Sequence, residues 1–321
     1  MPDASAQKPR LLPAAFARIP SAELYAIVLS LVVGVVLLAL KFTAYYLTDS
    51  SAIFSDAVES IVNVLASCVA LWALAVAHTP PDENHPYGHG KIEFVSAGFE
   101  GGMILLAAVF VFVQTVDSAI FQESKPQRID TGLLLVTIAT FVNAAVGWLL
   151  VRVGKKQASI TLEADGHHLL ADAVTSVGVV VALLIVHFTG FTWADPIAAV
   201  LIAVYIARTG LKLVRKSFGG LMDQQDVDDE KRLVAILDSH TGANAVEPVI
   251  CSYHKLRHRH SGRYHWVDFH LVVPAHLSIK QGHEVASKIE YEMEVMLGHA
   301  DATAHVEPCV QSCAVCGANR G

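Results

Sequence analysis

The sequence predicts an α-helical membrane protein: six transmembrane helices followed by a small two-layer α+β domain of ferredoxin-like order, α-β-β-α-β. Three observations predict it. Of 321 residues, 53% are hydrophobic and 17% charged, with a mean hydropathy of +0.47, a balance that soluble domains rarely show. The apolar residues gather into runs near the ~20 residues a helix needs to cross ~30 Å of hydrocarbon. From about Met222 onward the runs give way to mixed charge and shorter periodicity.

The six runs cover about 22–46, 52–78, 94–121, 130–153, 166–189 and 195–215. The organisation that follows is a leader over 1–21, a membrane domain over 22–220, a C-terminal domain over 221–308 and a cysteine-bearing tail over 309–321. The first run is too long for a signal-peptide core and no small-residue cleavage site follows it, so it is expected to stay in the mature protein. Lys8, Arg10 and Arg18 precede run one, Arg152, Lys155 and Lys156 follow run four, and Lys212, Arg215 and Lys216 close run six. An even number of spans with these cations inside puts both termini in the cytoplasm of a multi-pass cell-membrane protein, the inner membrane in a Gram-negative cell. Lys125 and Arg128, in the predicted outer loop, weigh the other way.

In the C-terminal part, "DVDDEKRLVAILDSH" and "SIKQGHEVASKIEYEMEVML" read as amphipathic helices. "AVEPVICSYHKLRH", "GRYHWVDFHLVV" and "TAHVEPC" read as strands, which gives the order α-β-β-α-β. A net charge of −7 with no basic stripe away from the membrane boundary argues against a nucleic-acid partner. The cysteines, Cys68, Cys251, Cys309, Cys313 and Cys316, are odd in number and four lie in the cytoplasmic half, so disulfides are not expected. The tail spacing C-x3-C-x2-C lacks the paired CxxC of a structural zinc site. Soft-metal capture and a tail of reduced thiols both stay open.

Run two carries Asp56, Glu59, Ser60 and Asn63 within one sector of roughly 100°. Run five does the same with Asp165, His168 and Asp172. A charged side chain near mid-bilayer costs about 2.5–3.5 kcal/mol, so such groups face protein, water or an ion. Helix-to-helix hydrogen bonding would explain Ser60 and Asn63, but Ser, Thr or Asn would serve that role better than acids beside a histidine. A metal site is the sharper reading of acids beside a histidine. His168 and Asp172 are spaced i, i+4, Glu59 and Asn63 repeat that spacing, and four ligands suit a tetrahedral divalent ion. Asp56 and Asp165, one turn earlier, read as an entry relay or as caps at the helix starts. His167 points about 100° away from His168 and reads as interfacial.

With "SDAVESIVN" in run two, "ADGHHLLAD" in run five and "PPDENHPYGHGKIE" between runs two and three, the chain resembles the cation diffusion facilitator family of divalent-metal/proton antiporters, from about Glu23 to Cys309. The resemblance implies a transport site of Glu59, Asn63, His168 and Asp172. Many relatives have Asp or His, then Asp, at the two run-two positions, and this chain departs at both. Its site therefore carries two formal negative charges rather than the three of an Asp/Asp version. Zinc is the first expectation for the ion, with iron, manganese, cobalt, nickel and cadmium as alternatives.

The resemblance also implies a second metal site at Asp82, His85 and His89, where the Pro-Tyr-Gly bend lets the two histidines converge. An exposed loop that binds nothing is the plainer alternative. A pair between Lys91 and Asp223 would form a hinge. A binuclear site in the C-terminal, metal-binding domain maps onto His254, His270, His283, His305 and Glu307, with His283 as the bridging candidate. His258, His260 and His265 are additional, and strand alternation puts His265 with the core residues, as a structural group.

The function implied is secondary active export of a divalent cation by a homodimer, with protons as counter-ion and no enzymatic activity. Moving a doubly charged ion out against −100 mV costs about 4.6 kcal/mol. No phosphate-binding loop is present to draw that from a nucleotide. His168 must lose a proton to bind metal and regains one when metal leaves. Two rivals remain at this level: a membrane-anchored metal sensor, and a membrane metal hydrolase, for which no H-E-x-x-H helix is found.

Overall fold

The computed structural model describes residues 16–48, 51–121, 132–190, 194–242 and 245–310. They fall into two compact units that divide between Phe218 and Gly219.

The first unit is built from α1 (Ser21–Thr48), α2 (Ser51–Ala77), α3 (Ile92–Phe121), α4 (Gly132–Gln157), α5 (Ile160–Thr189) and α6 (Ala194–Leu221). All but α5 contain, among the described residues, a stretch long and apolar enough to cross a membrane. The exception carries Glu163, Asp165, His167, His168 and Asp172 in its first half. Burial runs opposite to that of a soluble protein. Val32, Leu65, Phe110, Phe141 and Leu201 are exposed, whereas Ser30, Ser67, Glu100, Asp165 and His168 are buried. Hydrocarbon, not water, suits such an outer surface, and the polar groups then find their partners inside.

α5 is held in place from two sides. Against α4, a Cβ added at Gly166 would lie 2.8 Å from the Gly147 carbonyl oxygen and 2.7 Å from the Val151 side chain. Only glycine lets these two backbones approach so closely. Against α3, the Ser159 hydroxyl just before α5 donates to Glu93 Oε2 at 2.6 Å. The rotation of α5 about its axis is thereby fixed, and with it the direction of its polar stripe.

The second unit comprises α7 (Val227–Ser239), β1 (Ser252–Ser261), β2 (Tyr264–Val273), α8 (Ile279–Leu297) and β3 (Ala300–Pro308), the α-β-β-α-β order expected. β1 and β2 pair antiparallel, β3 joins β2 in parallel, and the sheet order is β1-β2-β3. Both helices start on side-chain caps. Asp226 accepts from the amides of Asp228 and Asp229, and Ser278 forms a capping box with Gln281. Leu233 and Leu237 of α7 and Ala286, Ile289 and Met293 of α8 close on Val267, Phe269, Leu271 and Val273 of β2. The core therefore sits on one face of the sheet, and the opposite face carries Trp266, Asp268 and His270. β1 starts at Ser252, later than the apolar run beginning at Ala245, because Pro248 has no amide to give a ladder.

Candidate metal centres

Three groups of metal-competent side chains were expected from the sequence, and the structure describes each within its own unit. In the membrane unit, α2 and α5 bring Asn63, His168 and Asp172 together. The Asn63 amide nitrogen donates to Asp172 Oδ2 at 2.6 Å, and His168 Nε2 lies 2.8 Å from Asn63 Oδ1. His168 is 4% exposed and Asn63 9%, while Asp172 is half-buried. Glu59 lies one helical turn before Asn63 on α2; its side chain, like that of Asp56, falls outside the described residues. A small cavity lined by Ser30, Ser60, Asn63, Ser67 and Asn143 opens beside the group. Two oxygens and an imidazole nitrogen beside a polar cavity form a donor set that suits a borderline divalent ion.

Asp165 occupies a different environment. It is wholly buried, and its carboxylate accepts from Ser30 Oγ at 2.9 Å and from Ser67 Oγ at 3.2 Å. Its lone pairs are thus committed to α1 and α2. Neither Ser30 nor Ser67 stood out in the sequence, since small hydroxyl residues are ordinary in membrane helices. Glu100 on α3 was missed as well. It is 0% exposed, and neither carboxyl oxygen has a hydrogen-bond partner among the described residues. Asp165 and Asp172 are near enough to act on it electrostatically. The available signal was an acid in mid-run, in "GFEGGM".

The loop between α2 and α3 draws Asp82, His85 and His89 into one cluster. Asp82 Oδ1 accepts from the His85 amide at 2.7 Å and the Asn84 amide at 3.0 Å, which curls the chain back on itself. Gly88, at φ +77°, takes a left-handed turn that other residues resist. The rings of His85 and His89 end with centroids 4.4 Å apart, and His89 Nε2 lies 3.4 Å from Asp82 Oδ2. The His85 amide holds the Asp82 carboxyl below the usual range, so it stays an anion through neutral pH.

On the sheet face away from the helices, cross-strand register sets His254 opposite His270, and His270 opposite His305. The ring centroids are 5.0 Å and 4.7 Å apart. His270 Nδ1 is 2.7 Å from Glu307 Oε1 and His254 Nε2 is 3.5 Å from Glu307 Oε2. The hydrogen bond from His270 is the main cause that keeps the Glu307 carboxyl below its ordinary value. His305 is farther, with Nε2 3.9 Å from Glu307 Oε1. His283 is exposed on α8 and is not among the residues whose ligand atoms converge here. Of the tail cysteines only Cys309 is described, and Cys313 and Cys316 lie outside the described residues.

Comparison with known proteins matches residues 27–222 to the cation efflux transmembrane domain and residues 229–309 to the cation efflux protein cytoplasmic domain. Among the relatives is an uncharacterized transporter of Synechocystis sp., 36% identical over 88% of this chain and 89% of its own length. A cation-efflux pump, FieF of Cronobacter sakazakii, is 30% identical over 86% of this chain and 90% of its own length. The manganese efflux system protein MneP of Bacillus subtilis is 26% identical over 87% and 94%.

Proposed function

The chain belongs to the cation diffusion facilitator family of cation-efflux transporters, and from that premise we propose that it exports a divalent transition metal from the cytoplasm in exchange for protons. The observation that carries the reading is the hydrogen-bonded chain His168–Asn63–Asp172 between α2 and α5, with His168 and Asn63 buried. An imidazole and a carboxylate inside membrane-spanning helices are costly, and such groups mark ion pathways. Glu59, Asn63, His168 and Asp172 hold the ion. His168 alternates between metal and proton, because one lone pair cannot carry both. Two carboxylates against one doubly charged ion leave the loaded site near neutral, which eases its passage through a low-dielectric interior. Zinc is the first candidate on this donor set, and the names of the relatives keep manganese in view.

Asp82, His85 and His89 form a second, more exposed metal site at the membrane-domain boundary. His254, His270, His305 and Glu307 form a third on the open sheet face. The chain works as a homodimer with both termini in the cytoplasm, and His283 completes the third site only if helix and sheet surfaces from two copies meet. Metal on the third site then biases the transport helices, which is reciprocal coupling between sites.

The test is metal flux into proteoliposomes under an imposed pH gradient. His168→Ala and Asp172→Ala are each expected to reduce proton-driven flux to the level of empty vesicles while the purified protein keeps its size-exclusion profile. Wild-type flux in both variants would remove the assignment.

A further inference from the structure

One cluster of metal-competent side chains lies outside all three groups. His260 and His265 are direct cross-strand partners, one residue pair from the two-residue turn Gly262–Arg263, and Gly262 at φ +63° lets that turn close. Their ring centroids are 4.3 Å apart. Both lie on the helix-covered face, in line with His258 and Val267, so they sit under the first turn of α7, where Asp229 points down onto them. Asp229 Oδ2 is 3.6 Å from His260 Nε2 and 3.5 Å from His265 Nδ1. Its other oxygen, Oδ1, faces Arg232 at 3.4 Å.

The two distances are informative. They are too long for good hydrogen bonds, and His265 Nδ1 is a buried atom with no hydrogen-bond partner among the described residues. They match instead the spacing of neighbouring ligands around a tetrahedral ion: bonds of about 2.0–2.1 Å put such ligands about 3.3–3.5 Å apart. All three ligand atoms lie within 4.8 Å of one another. His258 is committed elsewhere, with Nε2 accepting from the Asp226 amide at 3.0 Å. That bond and the one from the His258 amide to Gln225 Oε1, also 3.0 Å, already tie the start of α7 to β1.

We propose that Asp229, His260 and His265 form a further divalent-metal site, of zinc-like preference, with a water molecule as fourth ligand. Two imidazoles and one carboxylate are a donor set that zinc accepts. The site differs from the His254–His270–Glu307 group in its position, since it occupies the opposite face of the sheet. Every ligand comes from one chain, so filling it requires no second copy. A bound ion clamps the first turn of α7 to the β1–β2 hairpin and makes the stability of this domain depend on metal.

The experiment counts zinc on the purified full-length protein by equilibrium dialysis and elemental analysis. Replacing His260 and His265 together by Ala is expected to lower the count by one ion per chain, and Asp229→Asn to weaken one class of site at least tenfold. X-ray absorption on a variant carrying Asp82→Ala, Asp172→Ala, His270→Ala and Glu307→Ala should still report zinc bound to two imidazoles. An unchanged count after loss of both histidines overturns the proposal. So does a four-site variant that binds no zinc. Should the double-Ala chain fail size exclusion, the Asp229→Asn titration decides: wild-type affinity in every class of site sinks the idea.

Discussion

His168 Nε2 and Asn63 Oδ1 lie 2.8 Å apart, bonded to each other across the α2–α5 contact. Because an amide oxygen can only accept, that bond places the imidazole proton on Nε2. A metal ion taking Nε2 as its ligand would have to displace this proton. The amide that bridges His168 and Asp172 is neutral, so it holds the empty site together without adding charge.

The neutrality of Asn63 makes a prediction. Asn63→Asp adds a second carboxylate on α2 and removes the donor to Asp172. The ion-free site loses its bridge and gains repulsion, which a bound cation relieves. Zinc should bind at least tenfold more tightly at pH 7, about 1.4 kcal/mol, while maximal flux falls because release slows. Isothermal titration paired with vesicle flux checks both; tighter binding with faster flux would contradict the scheme.

Glu100 supplies a second. A wholly buried carboxyl without a hydrogen-bonding partner among the described residues needs a proton or a cation for company. Glu100→Gln keeps the shape and removes the ionisable group. Metal affinity should change less than threefold, while the dependence of flux on external pH flattens. A variant with the wild-type pH profile would reduce Glu100 to a packing group.

Glu307 sets the sign of the pH dependence at the proposed third site. The hydrogen bond from His270 holds Glu307 below its ordinary value, so it is already an anion at neutral pH. Its favourable contribution to the folded domain is present above the unfolded value and lost as pH falls through the folded one. Zinc affinity at this site should fall as acid protonates Glu307, and Glu307→Gln should weaken it already at neutral pH. Wild-type affinity in Glu307→Gln at neutral pH would exclude this carboxylate as a ligand. Titration of a chain with the other groups removed measures it.

How far the sequence could be read is clearest at α5. The 3.6-residue period was enough to put Asp165, His168 and Asp172 on one stripe, and the i, i+4 spacing was enough to pair the last two. Nothing local separates Asp165 from them. Its partners, Ser30 and Ser67, stand 135 and 98 residues away in the chain, so its role as a buried acceptor depends on packing alone. The same holds in the C-terminal domain. Alternation along β2 put His265 on the core side, but Asp229 reaches it only because the cap at Asp226 sets where α7 begins. Periodicity reveals which face a residue occupies; the residue it meets across an interface needs the fold.

The α4–α5 crossing offers the sharpest mechanical test. At Gly166 a Cβ would come within 2.8 Å of the Val151 amide nitrogen and the Gly147 carbonyl oxygen, both backbone atoms that cannot swing aside. Gly166→Ala must therefore push α5 away from α4. Because Gly166 lies two residues before His168, the displacement reaches the ligands directly, and a shift near 1 Å is enough to spoil a metal site. The expected result is a loss of zinc affinity of tenfold or more together with a lower thermal midpoint. Gly102 on α3 is the control, since a Cβ there meets nothing within 4 Å. In a helix interior Gly102→Ala should be neutral or stabilising by about 0.5–1 kcal/mol, with flux unchanged. If the two substitutions behave alike in thermal unfolding and in flux, close backbone approach is not what orients α5, and the geometry of the transport site must be set elsewhere.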